Sequence, residues 1–120
     1  MWIAAKVQGD RLGAASECAR RYGAVTLLKG AATVVAGTDG NATVNPTGNP
    51  GMASGGMGDV LTGITGALAA AGVGPYDAAR AAAYIHGLAA DRAAAERGMT
   101  ALNASDLIEA LPTLLNGWGL

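Results

Sequence analysis

The sequence predicts an α/β protein in which short strands precede a glycine-rich loop and a series of helices. Residues 24–28 form an apolar run with β-branched members, and two further β-prone segments flank an Asp-Gly pair. Apolar residues at helical spacing dominate the chain on both sides of these strands. The order is helix, strand, hairpin, glycine loop and three helices, which predicts catalytic loops at one edge of a mixed sheet.

The first predicted element is an amphipathic surface helix over about residues 7–22. Its apolar face carries Leu12, Ala15, Ala19 and Tyr22. The glycine that follows Tyr22 is a typical C-terminal stop. A buried strand, residues 24–28, then delivers Lys29 and Gly30 into a loop.

A β-hairpin is predicted next, from residues 33–36 and 42–44. The intervening Thr38-Asp39-Gly40-Asn41 contains the Asp-Gly pair that favours a tight turn.

Three helices follow the glycine loop, from about Asp59 to Gly72, from Pro75 to Arg97, and from Asn103 to Pro112. Asn103 and Asp106 have the spacing of an N-terminal capping pair. Pro112 is predicted to break or restart the last helix.

The composition allows one modest domain or a fragment of a larger one. The 120 residues include 28 alanines, 19 glycines and no phenylalanine, so large core-forming side chains are scarce. Three strands make a small sheet with open edges. We therefore expect residues 1–120 to be the C-terminal part of a single domain, with its N-terminal half absent.

Charge and cysteine content limit the expected partners and compartment. A net charge of −1 gives no basic surface for nucleic acid or anionic membrane. The single cysteine, Cys18, is expected to be a small buried residue without a disulfide partner in the chain. No apolar stretch reaches about 18 residues without a charge. We therefore expect a soluble, cytoplasmic protein that binds neither nucleic acid nor membrane.

The most informative segment is the glycine-rich loop between Asn49 and Gly63, which ends in Asp59 and continues into a helix. Glycines let successive backbone N–H groups converge on an anion, and the helix N-terminus adds unpaired amides and a positive dipole. Asp59 repels phosphate, so its position favours a proton acceptor or a contact with magnesium-bound water. The alternative is that Asp59 only favours a helix N-terminus and the glycines only form a turn.

Three segments together carry a family resemblance: Leu28–Val34, Asn45–Gly63 and Tyr84–Asp91. They closely resemble the ADP-dependent NAD(P)H-hydrate dehydratases, repair enzymes with a ribokinase-like αβα fold. The resemblance extends over about residues 7–115, and the Asn-Pro-Gly-Met stretch with its Gly-Gly-x-Gly-Asp ending is its most specific part. It implies that the chain is the C-terminal portion of that fold.

The resemblance implies an activity and its reactants. Members of the family restore hydrated NADH or NADPH (NADHX or NADPHX) by loss of water, driven by hydrolysis of ADP or ATP. Phosphoryl transfer to the hydroxyl would improve a poor leaving group, which explains a kinase fold in a dehydratase. Only Mg²⁺ carried by the nucleotide is expected, because no cluster of His, Cys or carboxylate residues has spacing suited to a transition metal.

The resemblance also implies roles for individual residues. Asp59 is expected to face NADHX or NADPHX and to accept the hydroxyl proton. The amides around Gly56, Met57 and Gly58 are expected to form an anion hole. Nucleotide contacts are implied for Lys29, Gly30, Ala31, Ala32, Thr33 and Gly58.

Several of these residues also have an ordinary structural interpretation. Lys29 is alternatively a solvent-exposed lysine at a strand end, and Thr33 a hydroxyl at a strand start. His86, the single histidine, is expected to be packed and hydrogen-bonded outside the site. Met52 and Met57 are expected to be packing residues.

Three hypotheses remain open from the sequence. The first is a dehydratase part that becomes active when another chain or self-association into a homo-oligomer completes it. The second is a nucleotide-binding module without turnover, or a non-catalytic remnant. The third is a ribokinase-type kinase for a vitamin precursor or small alcohol, with Asp59 as base.

Overall fold

The computed structural model describes residues 3–119, which contain five helices, three strands and a single 3₁₀ turn. Residues 1–2 and 120, the ends of the predicted span, lie outside the described residues. The helices are α1 (Ala4–Gly9), α2 (Arg11–Tyr22), α3 (Met57–Ala70), α4 (Pro75–Arg97) and α5 (Ala104–Asn116). The strands are β1 (Thr26–Leu28), β2 (Val34–Ala36) and β3 (Ala42–Val44), and the 3₁₀ turn is Pro50–Met52.

The three strands form an antiparallel sheet in the order β1-β2-β3. The predicted hairpin is confirmed, with Val35 opposite Thr43 in its register. The expectation of a mixed sheet is wrong for residues 3–119, because both strand pairs in that range are antiparallel. Strand β1 is half-buried rather than buried, whereas all three residues of β2 are buried.

Alternating side chains of β2 pack against helices on opposite faces of the sheet. Val34 and Ala36 pack with Ala15 and Ala19 of α2, whereas Val35 packs against α4. Alanines at these contacts allow the helices to lie close to the sheet. The third apolar cluster joins α3, α4 and α5 around the fully buried Leu107.

The first predicted helix is in fact two helices. Asp10 separates α1 from α2, and its carboxylate accepts a hydrogen bond of 2.9 Å from the Gly13 amide at the new N-terminus. Only part of the predicted apolar face is covered, since Leu12 is 49% and Tyr22 is 63% exposed.

The C-terminal helices largely match their predicted boundaries. Helix α4 begins at Pro75 and ends before Gly98, and the Asn103–Asp106 capping box is present in both directions. The prediction that Pro112 breaks the last helix is wrong, because α5 continues through it to Asn116. Among residues 3–119, no helix combines the length and apolarity needed to cross a membrane.

Candidate functional site

The glycine loop turns into α3 earlier than the sequence suggested, at Met57 rather than near Asp59. Gly56 precedes the helix in the left-handed conformation, with φ of 85°, which a residue with a side chain rarely adopts. No side chain caps this helix. The first N–H groups of α3 are therefore available to an anion, with the positive end of the helix dipole behind them.

Asp59 is the third residue of α3 and is exposed. Within residues 3–119 it makes no salt bridge, since the three ion pairs found there involve other carboxylates. Asp59 lines a groove of about 520 Å³ between α3 and α5, whose other lining residues are apolar. A carboxylate in this position is accessible to a substrate and has an apolar surface beside it.

Lys29 reaches the start of α3 from the end of β1. A Cβ atom built on Gly58 would collide with the Nζ atom of Lys29. The ammonium group therefore lies against the helix turn that carries the unpaired amides and Asp59. This contact joins two segments that are nearly thirty positions apart in the sequence.

The turn that follows Lys29 is fixed by hydrogen bonds and by an unusual backbone conformation. Arg11 of α2 donates from Nη2 to the carbonyl oxygens of Leu28 and Lys29, at 3.1 and 3.4 Å. The Thr33 hydroxyl donates to the Gly30 carbonyl at 3.2 Å. Ala32 has φ of 54°, which costs about 1–2 kcal/mol in a residue with a Cβ. Strain of this kind is a feature of functional turns when the surrounding structure holds it.

The segment that leads into the glycine loop, residues 45–49, is docked on α4. The Asp91 carboxylate accepts hydrogen bonds from the Gly48 amide at 3.0 Å and from Asn49 Nδ2 at 2.9 Å. Asn45 is buried and donates to the Ala83 carbonyl at 3.0 Å. Together these bonds fix the entry of the loop relative to α4.

Gly87 explains why the loop can approach α4 so closely. A Cβ atom there would overlap Thr47, whose backbone carbon would lie 2.7 Å away. The Thr47 hydroxyl donates to the Tyr84 carbonyl at 3.0 Å. The segment Tyr84–Asp91, which contributed to the family resemblance, is thus the helical surface on which the loop rests.

The second part of the glycine loop packs on the connection between α4 and α5. The Ser54 hydroxyl donates to the Leu102 carbonyl at 3.3 Å. A Cβ atom on Gly51 would lie 2.8 Å from the Met99 carbonyl oxygen, and one on Gly56 would lie 3.2 Å from the Ala104 Cβ. The loop is therefore held on both sides before it reaches α3.

Met52, Met57 and His86 were all predicted to be packing residues rather than catalytic residues or metal ligands. Met57 is buried in the helical core, with Met52 packed against that core, as expected for packing residues. His86 is also buried, as expected, but its Nε2 atom has no hydrogen-bond partner among residues 3–119, contrary to the expected hydrogen bonding. Burial lowers the pKa of His86 below its ordinary value of 6.5, and the positive charge of Lys29 lowers it further.

The structure thus brings Lys29, Gly58 and Asp59 together, and places Gly30–Thr33 in the turn that Lys29 opens. Individual roles for these residues remain predictions. Sequence reasoning did not single out Arg11, Asn45 or Asp91. Asp91 belongs to Tyr84–Asp91, one of the segments that carry the family resemblance, so the sequence could have indicated its importance. No sequence pattern indicated a role for Arg11.

A family model described as NAD(P)H-hydrate dehydratase matches residues 1–113. The chain belongs to this family. The bifunctional NAD(P)H-hydrate repair enzyme Nnr of Moorella thermoacetica is 55% identical over 112 residues, which are 93% of this chain and 21% of that protein. The Nnr protein of Escherichia coli is 48% identical, over 93% of this chain and 22% of its own length.

Solved structures of the family confirm the α/β fold. Bacillus subtilis YxkO, described as a putative kinase, matches with a TM-score of 0.92 and 34% identity, over 97% of this chain and 43% of that one. An ADP/ATP-dependent NAD(P)H-hydrate dehydratase from Bacillus subtilis, co-crystallised with ATP and Mg²⁺, matches with a TM-score of 0.88 and 36% identity. That match covers 92% of this chain and 40% of the solved one. The chain therefore spans about a fifth of the curated relatives and less than half of the solved domains.

Proposed function

We propose that this chain supplies the nucleotide-binding turn and the catalytic carboxylate of an ADP-dependent (S)-NAD(P)H-hydrate dehydratase, a lyase that repairs hydrated NADH and NADPH. The observation that carries the proposal is the contact of Lys29 with Gly58, next to Asp59. It places the cation of Lys29 beside the helix turn that carries the unpaired amides and the carboxylate of Asp59. Membership of the dehydratase family supports the same assignment.

The proposed reaction divides the loss of water into two steps. The hydroxyl oxygen of the hydrated nicotinamide ring attacks the terminal phosphorus of ADP, and the bond from that phosphorus to AMP breaks. Asp59 accepts the hydroxyl proton. Phosphate then leaves the ring while a neighbouring carbon loses a proton to solvent, so the products are NADH or NADPH, AMP, phosphate and a released proton. Phosphate is a much better leaving group than hydroxide.

The other residues of the proposed site bind the nucleotide and stabilise its negative charge, and they take no part in proton transfer. The amides around Gly56, Met57 and Gly58 stabilise negative charge on the transferred phosphoryl group. Lys29 attracts the nucleotide phosphates as a point charge, and Gly30–Thr33 contact the nucleotide. These groups are positioned before the reaction begins, because α4 holds the entry of the glycine loop and Arg11 holds the turn at Lys29.

Magnesium fits this proposal as an ion carried by ADP or ATP. Asp59 is the one carboxylate between residues 49 and 63, and no group of three His, Cys, Asp or Glu residues suited to a metal occurs within residues 3–119. Bound phosphates and water molecules would supply oxygen ligands to Mg²⁺, and the ion would neutralise part of the phosphate charge.

The proposal includes completion of the site by residues beyond these 120. Within residues 3–119, β1 pairs with β2 alone, so its other edge is free to accept a further strand. The N-terminal half of the same dehydratase domain is the expected partner, and a homo-oligomer is the alternative. We place the enzyme in the cytoplasm, since Cys18 is a free thiol.

A second candidate is a ribokinase-type kinase for a small alcohol or vitamin precursor. It uses the same turn, because a phosphoryl acceptor hydroxyl needs the same base and anion hole. A nucleotide-binding part without turnover is the third. The geometry of the turn is the same for all three candidates. They differ in the substrate that is converted, so an assay of substrates distinguishes them.

A chimera tests the proposal. Residues 7–115 would replace the matching segment of the Bacillus subtilis dehydratase, and the chimera would be assayed with ADP against NADHX and a panel of small alcohols. We expect NADH and AMP to form from NADHX. Phosphorylated alcohol without NADH would favour the kinase, and saturable ADP binding without any product would favour the binding module. The chimera with Asp59→Asn is the control for the catalytic carboxylate.

A further inference from the structure

Arg11 is the first residue of α2, which is an unfavourable place for a cation because the positive end of the helix dipole lies there. No ion pair within residues 3–119 compensates its charge, since the three found there involve other cations. Its partners are neutral oxygen atoms: Gln8 Oε1 at 3.3 Å, and the carbonyls of Leu28 and Lys29 at 3.1 and 3.4 Å. The turn after β1, rather than its own helix, therefore accounts for the position of Arg11.

The guanidinium group also lies against the backbone of Gly30. A Cβ atom built on Gly30 would lie 3.1 Å from Nη2 and 3.2 Å from Nη1 of Arg11. Gly30 has φ of 144°, a positive value that residues with a side chain rarely adopt. Arg11 therefore contacts three consecutive residues, Leu28, Lys29 and Gly30, and the absence of a side chain on Gly30 lets the guanidinium lie this close.

These contacts determine the direction of an amide in the turn. The peptide bonds within residues 3–119 are all trans, so the N–H of each peptide points away from its own C=O. The Lys29 carbonyl is directed at Arg11, and the Gly30 N–H, which belongs to the same peptide, is therefore directed away from it. Within residues 3–119 the amides of Gly30, Ala31 and Ala32 donate no backbone hydrogen bond. The turn thus leaves N–H groups that an anion can accept.

We propose that Arg11 is a positioning residue for nucleotide binding, which holds the Lys29–Gly30 peptide so that its N–H is presented to a nucleotide phosphate together with the Lys29 ammonium. This role rests on the proposed function, which places the nucleotide at Lys29–Thr33. Arg11 does not itself bind phosphate, because its Nη2 atom is occupied by the two carbonyls. Loss of Arg11 releases the turn, and Lys29 then loses its fixed place beside Gly58.

Nitrogen-15 relaxation of the 120-residue chain measures whether Arg11 holds the turn. Arg11→Met removes the donors and keeps a long side chain. Arg20→Met is the matched control, because Arg20 is an exposed arginine at the other end of α2. We expect an order parameter of about 0.85 for the Gly30 amide in wild type and in Arg20→Met, and below about 0.6 in Arg11→Met. A rigid Gly30 amide in Arg11→Met, or a flexible one in wild type, would overturn the proposal.

Calorimetry with ADP measures the effect on binding. We expect the affinity to fall about tenfold in Arg11→Met and to stay within about twofold of wild type in Arg20→Met. In a chain that already carries Lys29→Met, Arg11→Met should lower the affinity by less than about threefold, because Arg11 acts partly by placing Lys29. An equal loss in both backgrounds would show that Arg11 acts independently of Lys29, and would overturn the proposal.

A conservative variant covers the case in which Arg11→Met does not fold. Lysine keeps the charge but lacks the planar fork that spans two carbonyls. We expect Arg11→Lys to show about a threefold loss of ADP affinity and a Gly30 order parameter between those of wild type and a released turn. Wild-type values for both would refute the need for the fork. If wild type does not bind ADP, the proposed function fails, while the order of the Gly30 amide still decides whether Arg11 holds the turn.

Discussion

The contact between Lys29 and Gly58 makes Gly58→Ala the most informative single substitution. The added methyl group overlaps the Lys29 Nζ atom, which must retreat by about 1–1.5 Å to an ordinary van der Waals distance. Moving an ammonium from about 4 to about 5.5 Å from one phosphate charge costs about 1 kcal/mol at an effective dielectric constant of about 20. We therefore expect ADP affinity to fall at least about fivefold.

The same substitution should have the opposite effect on folding. Gly58 lies within α3, where alanine is favoured over glycine by about 0.5–1 kcal/mol. Relief of this helix penalty offsets the displacement of a flexible side chain, so the free energy of unfolding should not fall. Reduced binding without reduced stability would separate a site effect from a folding effect.

Calorimetry with ADP and urea unfolding measure the two effects in the same preparations. Gly66→Ala is the matched control, because it lies in the same helix and nothing lies within 4 Å of its added methyl group. We expect Gly66→Ala to gain stability and to bind ADP like wild type. Wild-type affinity in Gly58→Ala would refute the placement of the phosphates beside Gly58 and Lys29.

Three further predictions concern Asp59, Asp91 and His86. Asp59→Asn should abolish turnover of the completed enzyme while ADP binding by calorimetry stays within about threefold, because the amide removes the base and keeps the shape. Asp91→Ala should lower the free energy of unfolding in urea by about 2 kcal/mol, since the amide of Gly48 and the side chain of Asn49 lose a charged acceptor. The free energy of unfolding should fall as the pH decreases below 6.5, because the lowered pKa of His86 leaves the folded state neutral while the unfolded chain binds a proton.

Each of these predictions has an internal control. Retained turnover in Asp59→Asn would contradict the general-base role. Asp77→Ala removes an exposed ion pair with Arg80 and should lower the free energy of unfolding by less than about 0.5 kcal/mol. If Asp91→Ala lowered it by no more than Asp77→Ala does, Asp91 would not hold the loop. His86→Asn should remove the component of the pH dependence that depends on His86. An unchanged pH profile in that variant would assign the effect to other groups.

Local signals predicted much of the fold. The Asp-Gly pair predicted the hairpin, and Asn103 with Asp106 predicted the start of α5. Both predictions succeeded because a turn and a helix cap depend on interactions between residues close together in the chain. Two predictions failed where tertiary structure decides the outcome. Asp10 caps a new helix where apolar periodicity suggested one continuous helix, and Pro112 is accommodated inside α5.

The site was predictable to a smaller extent. The glycine pattern indicated an anion-binding helix start, and the family resemblance singled out Lys29 and Asp59. The meeting of Lys29 with Gly58 depends on strand and helix placement that no local pattern encodes. Arg11 likewise acts through a hydrogen bond to Leu28, seventeen residues away in the chain. His86 was assigned to the core because its helical surroundings are apolar, and its burial is confirmed.

Complementation tests the central claim most directly, namely that this chain carries the nucleotide turn and the catalytic carboxylate of a dehydratase. The chain would be mixed with the part of the Bacillus subtilis dehydratase that it does not match, and NADH formation from NADHX would be followed with and without ADP. We expect ADP-dependent NADH formation in the mixture, none from either component alone, and none when the chain carries Asp59→Asn. A folded mixture that binds ADP but forms no NADH, or equal activity with Asp59→Asn, would contradict the claim.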